Sequence, residues 1–186
     1  MKMPVGALAL ITCALICLGC QSLTPDDPKQ GAVTKASTPE ELGKQFVAAA
    51  ATGDMRRIGK LYVTREEFRA TFEGQDLDSS YDLIYGKFEA AVADVLPHLA
   101  NAEFVRMNLE YCPEPLRTEP GMNFGFLKCA VSTLVTDNIR VVATVQGEEQ
   151  EVKLDAVIQV GEEWRLLSPV SLVSRRDITE SCVWAE

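Results

Sequence analysis

Val152-Lys153-Leu154-Asp155-Ala156-Val157-Ile158-Gln159-Val160-Gly161-Glu162-Glu163-Trp164-Arg165-Leu166-Leu167 is the stretch that decides the fold of this 186-residue chain. Val152, Leu154, Ala156, Ile158 and Val160 alternate with Lys153, Asp155, Val157 and Gln159, the period-two pattern of a strand. Gly161-Glu162-Glu163 is a tight reversal, and Trp164-Arg165-Leu166-Leu167 returns beside it. A link this short joins antiparallel neighbours. Working backwards, Ile139-Arg140-Val141-Val142-Ala143-Thr144-Val145 is rich in β-branched residues. Leu127, Cys129, Val131, Thr133 and Val135 form another alternating set, as do Val105, Met107, Leu109 and Tyr111. Alternation implies one face on a core and one in water.

Before Asn101 the period is that of helices. Thr38-Pro39-Glu40-Glu41 opens the first: Thr38 caps, Pro39 suits the first turn and Glu41 completes a capping box. Leu42, Phe46, Ala49 and Ala50 then share a face, and Gly53 ends it. Asp54 caps a second helix, with Met55, Ile58, Leu61 and Tyr62 on one side and Arg56, Arg57 and Lys60 on the other. Thr64-Arg65-Glu66-Glu67 opens a third, which carries Phe68 and Phe72 and stops at Gly74. Residues 75–79 read as a loop, with Ser79 capping a fourth helix whose stripe is Ile84, Phe88, Ala91, Val92 and Val95. Pro97 closes it. Helices followed by antiparallel strands predict an α+β domain.

The pattern resembles the NTF2-like (cystatin-like, SnoaL-like) superfamily. The likeness lies in the helical pair from Thr38-Pro39-Glu40-Glu41 through Asp54 to Thr64-Arg65-Glu66-Glu67-Phe68, and in the final hairpin around Gly161-Glu162-Glu163-Trp164. It covers roughly residues 38–172. It implies N-terminal helices packed on a strongly curved antiparallel sheet, a cone with a cavity at its wide end. Members that isomerise ketosteroids use a carboxylate base and acidic hydrogen-bond donors in an apolar pocket. By residue type the candidates are Tyr62, Tyr85, Tyr111 and Asp155, although alternation puts Asp155 on the polar face. No catalytic position of that family maps onto this chain.

The first residues have another character. After Lys2, Val5 to Leu18 is almost wholly apolar and uncharged, too short for a spanning helix of ~20 residues and suited to a secretory leader. Leu18-Gly19-Cys20 resembles the end of a bacterial lipobox, although Cys17 stands where Leu is preferred. The resemblance implies cleavage before Cys20, a diacylglyceryl group on its thiol and a fatty acid on its amine. Ordinary signal cleavage, leaving Cys20 a plain thiol, is the alternative. Gln21, where an Asp would favour inner-membrane retention, points to the outer membrane in a host that has one. Residues 20–37 are then a lipidated cysteine and a flexible linker containing Pro25, Pro28 and Gly31. Seventeen such residues span roughly 20–25 Å. Residues 1–19 are the leader, and 38–186 a single domain.

Outside the leader stand Cys112, Cys129 and Cys182. In an exported protein one disulfide is expected, and Cys112 with Cys129 would staple the ends of the Pro113–Met122 connection. Alternation sets the two on different faces of their strands, so a bulge would be needed. Otherwise Cys129 is a small buried apolar residue.

The chain supplies little recognisable chemistry. It carries 18 basic and 27 acidic residues, a net charge of -9, and an acidic surface repels nucleic acid. One histidine, His98, cannot build a two-histidine metal site, and a histidine at a helix end is ordinarily a cap or surface residue. Asp76, Asp78, Ser80 and Asp82 have EF-hand spacing, but Tyr81 and Lys87 stand where Gly and Glu are required. No metal, cofactor or catalytic residue is therefore expected. The sequence reads as a lipid-anchored envelope protein, membrane-bound through Cys20. Its domain would bind a partner protein or small apolar ligand, the oligomeric state being open. The alternatives are a small isomerase or cyclase with a buried carboxylate, and a structural spacer.

Overall fold

The computed structural model describes residues 35–108 and 115–173. Helices come first: α1 (Pro39–Ala51), α2 (Met55–Leu61), α3 (Arg65–Thr71) and, after a short strand β1 (Phe72–Glu73), α4 (Leu77–Val95). A 3-10 turn (Leu96–His98) leads to β2 (Glu103–Asn108), β3 (Leu116–Thr118), β4 (Asn123–Phe124), β5 (Leu127–Cys129), β6 (Thr133–Val145), β7 (Glu148–Val160), β8 (Glu163–Leu166) and β9 (Val170–Leu172). The class is α+β. The strand pairs are antiparallel, in a main sheet of order β2-β6-β7-β8 and a small one of order β1-β5-β4. β2 and β3 pair with different ends of β6, and β8 and β9 with different ends of β7.

The helix starts follow the side-chain chemistry of their first residues. Thr38 Oγ1 accepts from the Glu41 amide at 3.1 Å, and the Glu41 carboxylate accepts from the Ser37 amide and hydroxyl, both at 2.7 Å. The complete capping box is at α3, between Thr64 and Glu67. Asp54 caps α2 through the Arg57 amide. α4 differs from expectation: it begins at Leu77, so Ser79 lies inside it and does not cap it. Asp76 precedes it in the left-handed region (φ 60°) without a side-chain cap. In place of a cap, Asp78 in the first turn is gripped by Arg69 (2.9 and 2.6 Å) and Arg65 (3.3 Å).

Three strand expectations change as well. The expected run from Leu127 to Val135 breaks after Cys129, because β5 belongs to the small sheet and β6 to the main one. β6 and β7 are single strands of 13 residues each, joined at Gln146-Gly147, whose φ values of 53° and 87° suit a tight hairpin turn. In β2 the pairing jumps from Phe104 opposite Ala143 to Arg106 opposite Val142. Val105 sits at this bulge and is exposed, so Phe104 and Met107 pack on the core instead.

The core lies between the helices and one face of the main sheet. Leu42, Phe46, Ile58, Leu61, Phe68, Phe88 and Val92 meet Val141, Val152, Leu154 and Ile158. α1 crosses closely: a Cβ on Gly43 would stand 2.9 Å from Val141 Cγ2. Arg140 is 1% exposed, opposite Asn108 and Lys153, with Glu151 Oε2 at 3.9 Å.

Candidate functional site

Tyr81, Tyr85 and Phe88 are spaced to share one face of α4. They meet Tyr62, which forms a bridge with Leu166 at the sheet edge. The Tyr62 ring lies 4.4 Å from Phe88 and 5.1 Å from Tyr85, and Tyr81 stacks on Tyr85 at 5.7 Å. The hydroxyls are engaged. Tyr62 donates to the Leu167 carbonyl at 2.7 Å and Tyr81 to the Val63 carbonyl at 3.1 Å. Burial pushes Tyr62, Tyr81 and Tyr85 upward from the usual phenol range, with the Glu89 charge adding to the effect at Tyr85. The space between this part of α4 and Tyr62 is occupied by rings.

An open concavity lies at the other end of α4. Ala91, Asp94 and Val95 of the last turns, with His98 beyond them, face Pro169 to Leu172 and Asp155 of β7 across a cleft of about 480 Å³. Its floor is apolar, from Val95 (3% exposed) and Val170 (1% exposed). Asp94 and His98 stand exposed on the rim. Asp155 is half-buried and meets Lys153 Nζ at 3.1 Å, while its amide donates to the Pro169 carbonyl at 3.3 Å. A mostly apolar pocket of ~300–1,000 Å³ with a few polar groups is the usual form of a small-ligand site.

The structure separates the four pocket candidates. Tyr62 and Tyr85 belong to the ring cluster, Asp155 lines the cleft, and Tyr111 lies outside the described residues. His98, expected at the surface, is there, and it also edges the cleft. A carboxylate that the sequence did not single out, Asp137 on β6, is half-buried and held above the usual carboxylate range by burial. Lys153 opposes that shift and Asp155 adds to it. Among the described residues no three His, Cys, Asp or Glu side chains are grouped to hold a metal ion. Two of the residues with EF-hand spacing are held in ion pairs: Asp78 binds Arg69 and Arg65, and Asp82 binds Arg65.

Cys129 is fully buried on β5, opposite Phe72, and among the described residues its thiol is unbridged. Cys20, Cys112 and Cys182 lie outside the described residues, as do the leader and nearly all of the linker. Among the described residues no helix is long and apolar enough to cross a membrane. No protein-family model matches the chain, and comparison with curated proteins and with solved structures returns no match.

Proposed function

We propose that the protein is a lipoprotein moored to the cell envelope through acylated Cys20, with residues 38–186 as a non-catalytic binding module. In a host with two membranes Gln21 favours the outer one. The domain is proposed to be an NTF2-like cone; the helices that precede the sheet, the bulge in β2 and the 13-residue β6 and β7 support that reading. The cleft beside the end of α4 is the proposed binding site, for a small apolar ligand or an apolar segment of a partner protein. The observation carrying this reading is the contrast in packing: the tyrosine side is filled and hydrogen-bonded, whereas the apolar floor at Val95 and Val170 opens to a volume of about 480 Å³.

Two measurements test it. Cys20→Ser should move the protein from the membrane fraction to the soluble or uncleaved pool and remove the fatty acids from its N-terminal peptide. An unchanged distribution rejects the anchor. A neutral environment-sensitive dye such as N-phenyl-1-naphthylamine should bind the full chain. Ala91→Trp, which projects an indole over the cleft floor, should weaken binding by about tenfold, corresponding to roughly 1.4 kcal/mol. Equal dye affinity in both proteins rejects the cleft as the site. The isomerase or cyclase reading would be favoured instead by turnover that Asp137→Asn abolishes.

A further inference from the structure

Among the described residues of this acidic chain most cations face a carboxylate. Arg65 and Arg69 meet Asp78, Arg106 meets Glu149, and Arg165 meets Glu67 and Glu163. Helix α2 is different. Its sequence, Met55-Arg56-Arg57-Ile58-Gly59-Lys60-Leu61, holds three cations and no acid. Among the described residues none of the three forms an ion pair. Arg56 and Lys60 are exposed and four residues apart, so their charges stand one above the other. Arg57 is half-buried, and its Nε lacks a hydrogen-bond partner among the described residues.

Among the described residues no neighbouring carboxylate forms an ion pair with this face. Asp54 caps the helix, accepting from the Arg57 amide at 3.0 Å. Glu89 is hydrogen-bonded to Tyr85. At the far end the Lys60 carbonyl accepts from Arg165, which adds a guanidinium already paired elsewhere. Ile58 and Leu61 bury the inner side, while Met55 remains 38% exposed at the outer edge. Arg56 and Arg57 in the first turn oppose the helix dipole, and Arg56 and Lys60 repel each other across one turn, so an anion facing them would relieve both.

We propose that the α2 face docks on anionic phospholipid headgroups, laying the domain against the bilayer to which Cys20 tethers it. This rests on the lipoprotein reading. A linker of seventeen residues has an average span of roughly 20–25 Å from that surface, which makes the contact intramolecular. Guanidinium forks match phosphodiester oxygens, and Met55 can enter the interfacial layer beside them. The excess of acidic over basic residues, 27 against 18 in the full sequence, keeps the rest of the surface away from a negative bilayer and so selects this face.

The test uses the full chain purified from membranes and reconstituted into vesicles of neutral phosphatidylcholine or of phosphatidylcholine with phosphatidylglycerol. Acetylation by an amine reagent is followed by mass spectrometry at Lys60, with the exposed Lys87 and Lys128 as internal references. On anionic vesicles Lys60 should react about tenfold more slowly relative to Lys87, and high salt should restore its rate. Arg56→Gln with Arg57→Gln should reduce that protection to about twofold, whereas Arg56→Lys with Arg57→Lys should keep it. Equal Lys60 rates on the two vesicles overturn the proposal. So does protection that is the same on neutral vesicles or insensitive to salt, which would assign the face to a second copy or another protein. Flotation with neutral vesicles and the mass of the N-terminal peptide report the anchor separately, so its failure is distinguishable from that of the α2 contact.

Discussion

The two ends of α4 carry out opposite tasks with similar material. Its first three turns present Tyr81, Tyr85 and Phe88 to Tyr62 and Phe68, and the space is closed by rings, with the Tyr62 and Tyr81 hydroxyls reaching backbone carbonyls. Its last turns present the small Ala91 and the short Val95 to Val170 and Leu172, and the space stays open. The difference is one of side-chain size. Rings of large area fill the gap between helix and sheet, whereas alanine and valine leave a volume behind. Stability is therefore expected to reside in the aromatic end and ligand affinity in the cleft end.

The strongest challenge to that division is Phe88→Ala. Phe88 is 1% exposed and lies against both Tyr62 and Tyr85. Removing it should destabilise the domain by about 3–5 kcal/mol, read by denaturant unfolding of the full chain. A loss below about 1 kcal/mol would mean that the rings close around the hole and that the aromatic end is not the stabilising one. Tyr62→Phe is a smaller perturbation. It keeps the ring and deletes the donor to the Leu167 carbonyl, leaving a buried acceptor without its partner. About 1–3 kcal/mol should be lost, with dye binding at the cleft unchanged. If dye affinity falls as far as stability does, the two ends are coupled and the division fails.

The sequence made the closed end far more legible than the open one. The period-two run from Val152 to Val160 became β7, and the stripe of Phe88, Val92 and Val95 became the buried side of α4. Such patterns are local, and burial of a whole face enforces them. Three features depended on distant partners. α4 starts before Ser79 because Arg69 and Arg65 of α3 hold Asp78, a tertiary contact outside any capping rule. The bulge at Val105 shifts which residues of β2 face the core, and Arg140 is buried within a run of β-branched residues. The cleft left no local signal either. Ala91 and Val95 read as ordinary core positions, and a cavity arises from what fails to reach them across the fold. Alternation put Asp155 on the polar face, and the pairing of β9 with β7 after Pro169 sets it in the lining of the cleft.

Asp78→Asn refines the comparison where α4 begins, with the smallest expected effect. Both guanidiniums of α3 converge on this carboxylate, and Arg69 first, then Arg65, holds it below the usual carboxylate range. A carboxyl group whose affinity for protons is lower in the folded chain favours folding whenever it is ionised. Its contribution is therefore present above the ordinary carboxylate range and is lost as the pH falls through the depressed folded value. Asp78 is exposed, so solvent and salt screen the pair and the loss should be slight. The variant should melt a little lower than the parent at neutral pH, with the gap closing in strong acid and narrowing in high salt. A gap that persists unchanged at acid pH would assign the role of Asp78 to shape and not to charge. The ion pairs would then be a consequence of how α3 meets α4, and the start of α4 would have to be explained by the packing of Leu77 and Tyr81 on the core.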